Sequence, residues 1–234
     1  MRTFPVLTTI FVLAATPALA ADPCGPGHMR KAEVRGGVLE LLWHGTIVEQ
    51  MAADVADEFA KHKDNTSSDS LTLHSCGGSM LHMQRAIAVL EQIKGTHQLV
   101  TKVDRGDTCG SACVPIFLVG QRRIGALTSA FYFHPVVIGV LGDPGTREET
   151  ARMQVRSSAT EDLLRRYFSG AGLSEDWLRY LRRTLRTHDL WQSGRDLWES
   201  KSGVITETLD NLEPREDGAI DLPNGTVCSF RCRG

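Results

Sequence analysis

Between residues 38 and 134, short apolar runs alternate with stretches whose apolar residues fall four apart. The first pattern suits strands and the second the buried stripe of a helix. The alternation therefore predicts an α/β chain built around a largely parallel sheet. Val38-Leu39-Glu40-Leu41-Leu42-Trp43 reads as a strand. Ile47, Met51, Val55 and Phe59 then share a helical face, and Thr46-Ile47-Val48-Glu49 has the spacing of a capping box. Leu71-Thr72-Leu73-His74 is a second strand, running into Gly77-Gly78. The helix after it carries Met83, Ile87, Leu90 and Ile93 and stops at Gly95. Residues 97–103 give a third strand. A Gly-rich loop over 106–110 leads to Ser111 and an apolar helix over 112–119. Arg122-Arg123 turn the chain, and 130–134 form a further buried strand.

Beyond residue 136 the pattern changes. A loop over 136–145 precedes a charged helical stretch, Gly170-Ala171-Gly172 breaks it, and Ser174 is placed to cap a second helix bearing Trp177, Leu181 and Leu185. This reads as a helical hairpin over 147–188 appended to the α/β core. Residues 190–205 lead to a short closing strand. Residues 21–37, rich in Gly, Pro and charge, read as a loose arm, and 207–234 as a turn-rich tail.

The first 20 residues have a basic start, a short apolar run and Ala18-Leu19-Ala20, the pattern of a cleaved secretory signal peptide. The run is shorter than the roughly 20 apolar residues that a membrane span needs. A periplasmic or secreted protein without a stable span is expected. A net charge of -2 gives no basic footprint for nucleic acid. All six cysteines (Cys24, Cys76, Cys109, Cys113, Cys228 and Cys232) follow the leader, and an even count in an exported chain favours disulfides. Six cysteines allow 15 pairings. Cys109/Cys113 and Cys228/Cys232 stand out only as close pairs. No C-x-x-C occurs and the histidines do not cluster with the thiols, so no metal site or other cofactor is expected.

Acyl transfer by a serine needs an exposed hydroxyl, a base to take its proton and N–H groups aimed at the developing oxyanion. Gly110-Ser111-Ala112, between a Gly-rich loop and an apolar helix, suits a nucleophile; locally it suits a helix cap better. Gly77-Gly78 is a strand-to-helix turn that can free an N–H or simply turn the chain. His134, at a strand end before Pro135, fits a base or a structural histidine. Asp189, beside His188, reads locally as a surface carboxylate.

The ordered set is more specific than its members. Leu71 to Met80, LTLHSCGGSM, resembles the glycine turn of the ClpP family, the proteolytic subunits of the Clp protease. CGSACVPIFLVGQRR resembles that family's nucleophile segment, and TSAFYFHP the strand ending in its catalytic histidine. The stretch from Glu148 to Ser193 resembles the helical handle and the segment bearing its aspartate. The resemblance spans about residues 38–206. It implies a ClpP/crotonase-type ββα spiral core with a handle, Ser111 as nucleophile, His134 as base, Asp189 as its orienting carboxylate, and the N–H groups of Gly78 and Ala112 as oxyanion donors. It also implies a peptide or protein substrate and self-association. Cys76 stands where the family has proline, and the cysteines flanking Ser111 are foreign to it. The N-terminal arm has no match to the segment that docks the family to its unfoldase, and an exported protein lies away from cytoplasmic ATP, so no ATP-dependent unfoldase partner is expected. Two other readings share the fold: an inactive scaffold or binding protein, and a crotonase-type acyl-thioester enzyme, which the leader disfavours.

Overall fold

Gly36 and Gly37 both take positive φ, +58° and +79°. A pair of such residues makes a tight hairpin whose twist suits flanking strands. It folds β1 (His28–Arg35) back onto β2 (Val38–His44), antiparallel, with Arg35 opposite Val38. Residues 28–35 of the expected loose arm are therefore an edge strand. Its charged residues alternate at period two rather than marking a loop. The computed structural model describes residues 24–136 and 158–209, plus two two-residue strands, β10 (Ile220–Asp221) and β11 (Val227–Cys228). The leader, the first part of the expected hairpin and the Cys228/Cys232 pairing lie outside the described residues.

From β2 onward the expected alternation holds. α1 (Gln50–His62), β3 (Ser68–His74), α2 (Met80–Lys94), β4 (Gln98–Val103), β5 (Thr108–Gly110), α3 (Cys113–Leu118), β6 (Arg122–Gly125) and β7 (Ala130–Phe133) follow in order. β2, β3, β4 and β6 pair in parallel, and β9 (Glu207–Thr208) closes the sheet in the order β1-β2-β3-β4-β6-β9. β5, β7 and β8 (Leu190–Ser193) form a separate three-stranded sheet.

On β2, Leu39, Leu41 and Trp43 are buried while their neighbours are half-exposed, so one face of the large sheet carries the core. Met51 and Val55 of α1, and Met83, Ile87, Leu90 and Ile93 of α2, pack in the same cluster. Helical residues 158–163 (α4), a π-helical turn at Leu164–Phe168 and α5 (Glu175–Thr184) add Leu164, Phe168, Trp177 and Leu181 to it. α6 (Gly194–Glu199) follows β8 with a capping box between Ser193 and Asp196.

Three local expectations fail for non-local reasons. The capping box before α1 does not form: Ile47 is drawn into a bridge with Gly78, and the Thr46 hydroxyl donates to the Gly25 carbonyl at 3.0 Å. Half of the expected Gly-rich loop is strand β5. Arg122-Arg123 open strand β6 instead of turning the chain. The buried Arg123 guanidinium donates to the carbonyls of Val204 (2.9 Å), Gly120 (3.0 Å) and Gly203 (2.7 Å), which fastens the closing segment to the sheet. Burial pushes its pKa down.

Candidate active site

The site forms where the ends of β3 and β5 meet. The Ser75 N–H donates to the Thr108 carbonyl at 2.7 Å, and the Gly110 N–H to the Ser75 carbonyl at 2.8 Å. These bonds press the glycine turn against the segment leading into Ser111. Gly77 has a φ of +115°, and a Cβ there would lie 2.5 Å from the Ser111 Cβ and 3.0 Å from its Oγ. Only glycine allows the approach. On the other side of the turn, the Ile47 N–H donates to the Gly77 carbonyl (2.7 Å) and the Ser79 N–H to the Ile47 carbonyl (3.3 Å). In a parallel bridge the intervening residue's own N–H faces away from the partner strand. The Gly78 N–H is thereby left free of Ile47.

Ser111 lies between β5 and α3 with a φ of +53°, in the left-handed region that a non-glycine residue rarely enters. Sharp strand-to-helix elbows of this kind hold a nucleophile's side chain clear of the backbone. The Ser111 N–H donates to the Tyr132 carbonyl at 2.8 Å, tying the elbow to β7. Pro115, the third residue of α3, falls in the first turn, where its missing N–H costs nothing.

Ser111 Oγ is 2.6 Å from His134 Nε2. His134 Nδ1 is 2.6 Å from the carbonyl oxygen of Pro135. A carbonyl only accepts, so Nδ1 carries the proton of the neutral ring. Nε2 is then the lone-pair nitrogen and accepts from the Ser111 hydroxyl, the polarity that a general base requires.

Asp189 is not on His134. Its Oδ2 accepts from the Tyr132 hydroxyl at 2.6 Å. The register explains the displacement. β7 and β8 run antiparallel with Tyr132 opposite Trp191 and Phe133 opposite Leu190. One further step would set His134 opposite Asp189, but the ladder stops at Phe133. Pro135 follows, with no N–H to give a ladder. The Tyr132 ring, on the same face as His134, reaches the diagonal carboxylate instead. Burial, reinforced by the bond to Asp189, pushes the Tyr132 phenol well above its usual pKa.

Gly78 and Ala112 both line the cleft beside Ser111. Among the described residues no hydrogen bond occupies either N–H. The cleft holds about 150 Å³ and widens into an apolar wall of Val114, Phe133, Leu164, Phe168 and Leu185, with Met80 at its rim. Two cysteine pairs stand at disulfide distance around it. Cys24–Cys76 ties the N-terminal segment to the residue before Gly77, and Cys109–Cys113 straddles Ser111.

The structure thus brings together Ser111, His134, Gly78 and Ala112 and leaves Asp189 one residue aside. The sequence reading passed over Tyr132 and the Pro135 carbonyl. Period-two spacing of Tyr132 and His134 was the available signal for the first.

The architecture is a ClpP-like α/β fold. Among solved structures, a point mutant of ClpP1 from Listeria monocytogenes superposes with a TM-score of 0.57 at 16% sequence identity, over 74% of this chain and 91% of that one. No family model matches the sequence, and no curated protein matches it at the sequence level. Among the described residues, no helix is long and apolar enough to cross a membrane.

Proposed function

We propose that this chain is an exported serine hydrolase, a peptidase acting beside an apolar side chain. The observation that carries the reading is the 2.6 Å contact between Ser111 Oγ and His134 Nε2 at an elbow of positive φ. In the first step the Ser111 hydroxyl gives its proton to Nε2 while Oγ bonds to the scissile carbonyl carbon. The oxyanion that forms is met by the N–H groups of Gly78 and Ala112. The imidazolium then gives its proton to the leaving amine. His134, neutral again, takes a proton from the water whose oxygen bonds to the acyl carbon, then gives it to Ser111 Oγ as the Oγ–carbon bond breaks and the acid leaves. The Pro135 carbonyl holds Nδ1–H throughout and keeps the ring in one tautomer, the orienting task that a carboxylate performs in a triad. The leader-like first 20 residues and the two cysteine pairs support an oxidising, extracytoplasmic setting.

The test is labelling of the protein with a fluorophosphonate probe beside Ser111→Ala and His134→Ala. Labelling of the wild type alone is expected. Equal labelling of the wild type and Ser111→Ala sinks the nucleophile assignment, and no labelling of any of them leaves a binding protein on a hydrolase fold.

A further inference from the structure

We propose that Tyr132 is the positioning residue for His134, and that Asp189 acts on the imidazole only through Tyr132. The inference rests on Ser111 and His134 being the reacting pair. Tyr132 touches both of them. Its carbonyl accepts from the Ser111 N–H at 2.8 Å, and its ring centroid lies 5.2 Å from that of His134, tilted by 32°. Two further contacts fix the ring. Trp191, its cross-strand partner, stacks on it at 4.5 Å and 26°, and Asp189 accepts from its hydroxyl at 2.6 Å. The chain therefore runs from Asp189 through the phenol to the imidazole. The Pro135 carbonyl occupies the nitrogen that a triad carboxylate would take.

The arrangement has a chemical consequence as well as a steric one. When Ser111 gives up its proton, His134 becomes a cation within the roughly 6 Å at which an aromatic ring attracts one. A phenol hydrogen-bonded to a carboxylate is more electron-rich than a free phenol, so the charge of Asp189 reaches the imidazolium through the ring.

Two measurements test this. The first is the fluorophosphonate labelling rate of Tyr132→Phe, Tyr132→Leu, Asp189→Asn and the Tyr132→Phe/Asp189→Asn double variant. Tyr132→Phe and Asp189→Asn are expected to slow labelling by the same factor, about two- to threefold, a part of one cation–aromatic contact, because the ring itself stays in both. The double variant is expected to be no slower than either, because both break one link. Tyr132→Leu is expected to be slower again, with Tyr132→Phe restoring part of the rate. The second measurement is the ¹⁵N-resolved NMR spectrum of the His134 ring in a Ser111→Ala background. A downfield Nδ1–H resonance is expected to survive Asp189→Asn and to be lost in Tyr132→Leu. Loss of that resonance in Asp189→Asn, or labelling as slow as in His134→Ala, places Asp189 directly on His134 and overturns the proposal. So does a double variant whose effects add. If the wild type does not label at all, the hydrolase reading fails, and the ring spectrum still decides the positioning claim.

Discussion

The two cysteine pairs enclose very different loops, and that difference sets separate consequences for breaking them. Cys24 and Cys76 are 52 residues apart, Cys109 and Cys113 only 4. In the chain-entropy picture a cross-link stabilises by restricting the unfolded chain, by an amount that grows with the logarithm of the loop. The long loop gives about 4 kcal/mol at 25 °C and the short one about 2 kcal/mol. For a chain of this size each kcal/mol moves Tm by about 2–4 °C. Replacing Cys24 and Cys76 by alanine is thus expected to lower Tm by roughly 8–16 °C. It should leave the labelling rate of the folded fraction within about threefold of wild type, because backbone bonds from Ser75 and Ile47 still hold the glycine turn. Replacing Cys109 and Cys113 is expected to cost less through loop entropy but to slow labelling of folded protein by about tenfold or more, since the bond straddles the positive-φ elbow that aims Ser111. Calorimetry under non-reducing conditions and probe kinetics at 25 °C read the two effects apart. Slower labelling without the long bond than without the short one would refute the division of labour. So would equal labelling rates in both variants.

Gly77→Ala puts a methyl 2.5 Å from the Ser111 Cβ at a φ of +115°. An ångström's displacement of the nucleophile costs on the order of a hundredfold in rate, so labelling is expected to fall about that far while secondary structure by circular dichroism is kept. Met80→Asp, at the exposed cleft rim, is expected to lower kcat/KM about tenfold for peptides with an apolar side chain beside the cleaved bond, with kcat little changed. Unchanged preference across a peptide series would remove the apolar wall from substrate selection. Asp69 is buried between Leu39 and Leu99 on neighbouring strands, and among the described residues neither carboxylate oxygen has a hydrogen-bond partner. Burial pushes its pKa up, opposed weakly by His97. The folded state thus holds this proton more tightly than the unfolded chain, and stability is lost as pH rises from about 4 through the raised value. Asp69→Leu is expected to stabilise the protein by about 1–3 kcal/mol at pH 7, with the gain shrinking toward pH 4 in urea melts. A gain independent of pH would mean that the Asp69 carboxyl binds its proton equally well in the folded and unfolded chains, and that burial does not raise its pKa.

The legible parts of the fold were those that local chemistry decides. The face of α2 was readable because Met83, Ile87, Leu90 and Ile93 are all apolar and all lie in the buried core cluster. β1 was not, because its exposed edge carries alternating charges that resemble a solvated arm until Gly36-Gly37 is read as a hairpin. β5 and β6 are three and four residues long and contain Cys, Gly and Arg. Their strand character comes from partners elsewhere. Arg123 reads as a turn residue until carbonyls some eighty positions later are brought to it. The capping box of Thr46 was a correct local pattern overruled when Ile47 paired with the glycine turn.

The site divides the same way, and Asp189 marks the boundary. Ser111, Gly78 and Ala112 sit on turns whose small residues are written in the sequence, and His134 ends a strand that is plainly apolar. The carboxylate's partner depends instead on where an antiparallel ladder stops. With Phe133 opposite Leu190, continuing the pairing by one residue would give His134 to Asp189. Ending it at Pro135 gives His134 a backbone carbonyl and gives Asp189 the Tyr132 hydroxyl. One residue of register therefore separates a Ser–His–Asp triad from a Ser–His pair steadied by an aromatic ring. Pro135→Ala bears on that point directly, because it restores the missing N–H while keeping a carbonyl at 135. If the proline is what ends the ladder, the variant is expected to extend β7–β8 pairing by one residue, seen as a new slowly exchanging amide at position 135. In that variant Asp189→Asn should come to cost labelling far more than the few-fold expected in the wild type. An unchanged exchange pattern with an unchanged Asp189→Asn penalty would mean that the side chains of Tyr132 and Asp189, and not the proline, set the end of the ladder.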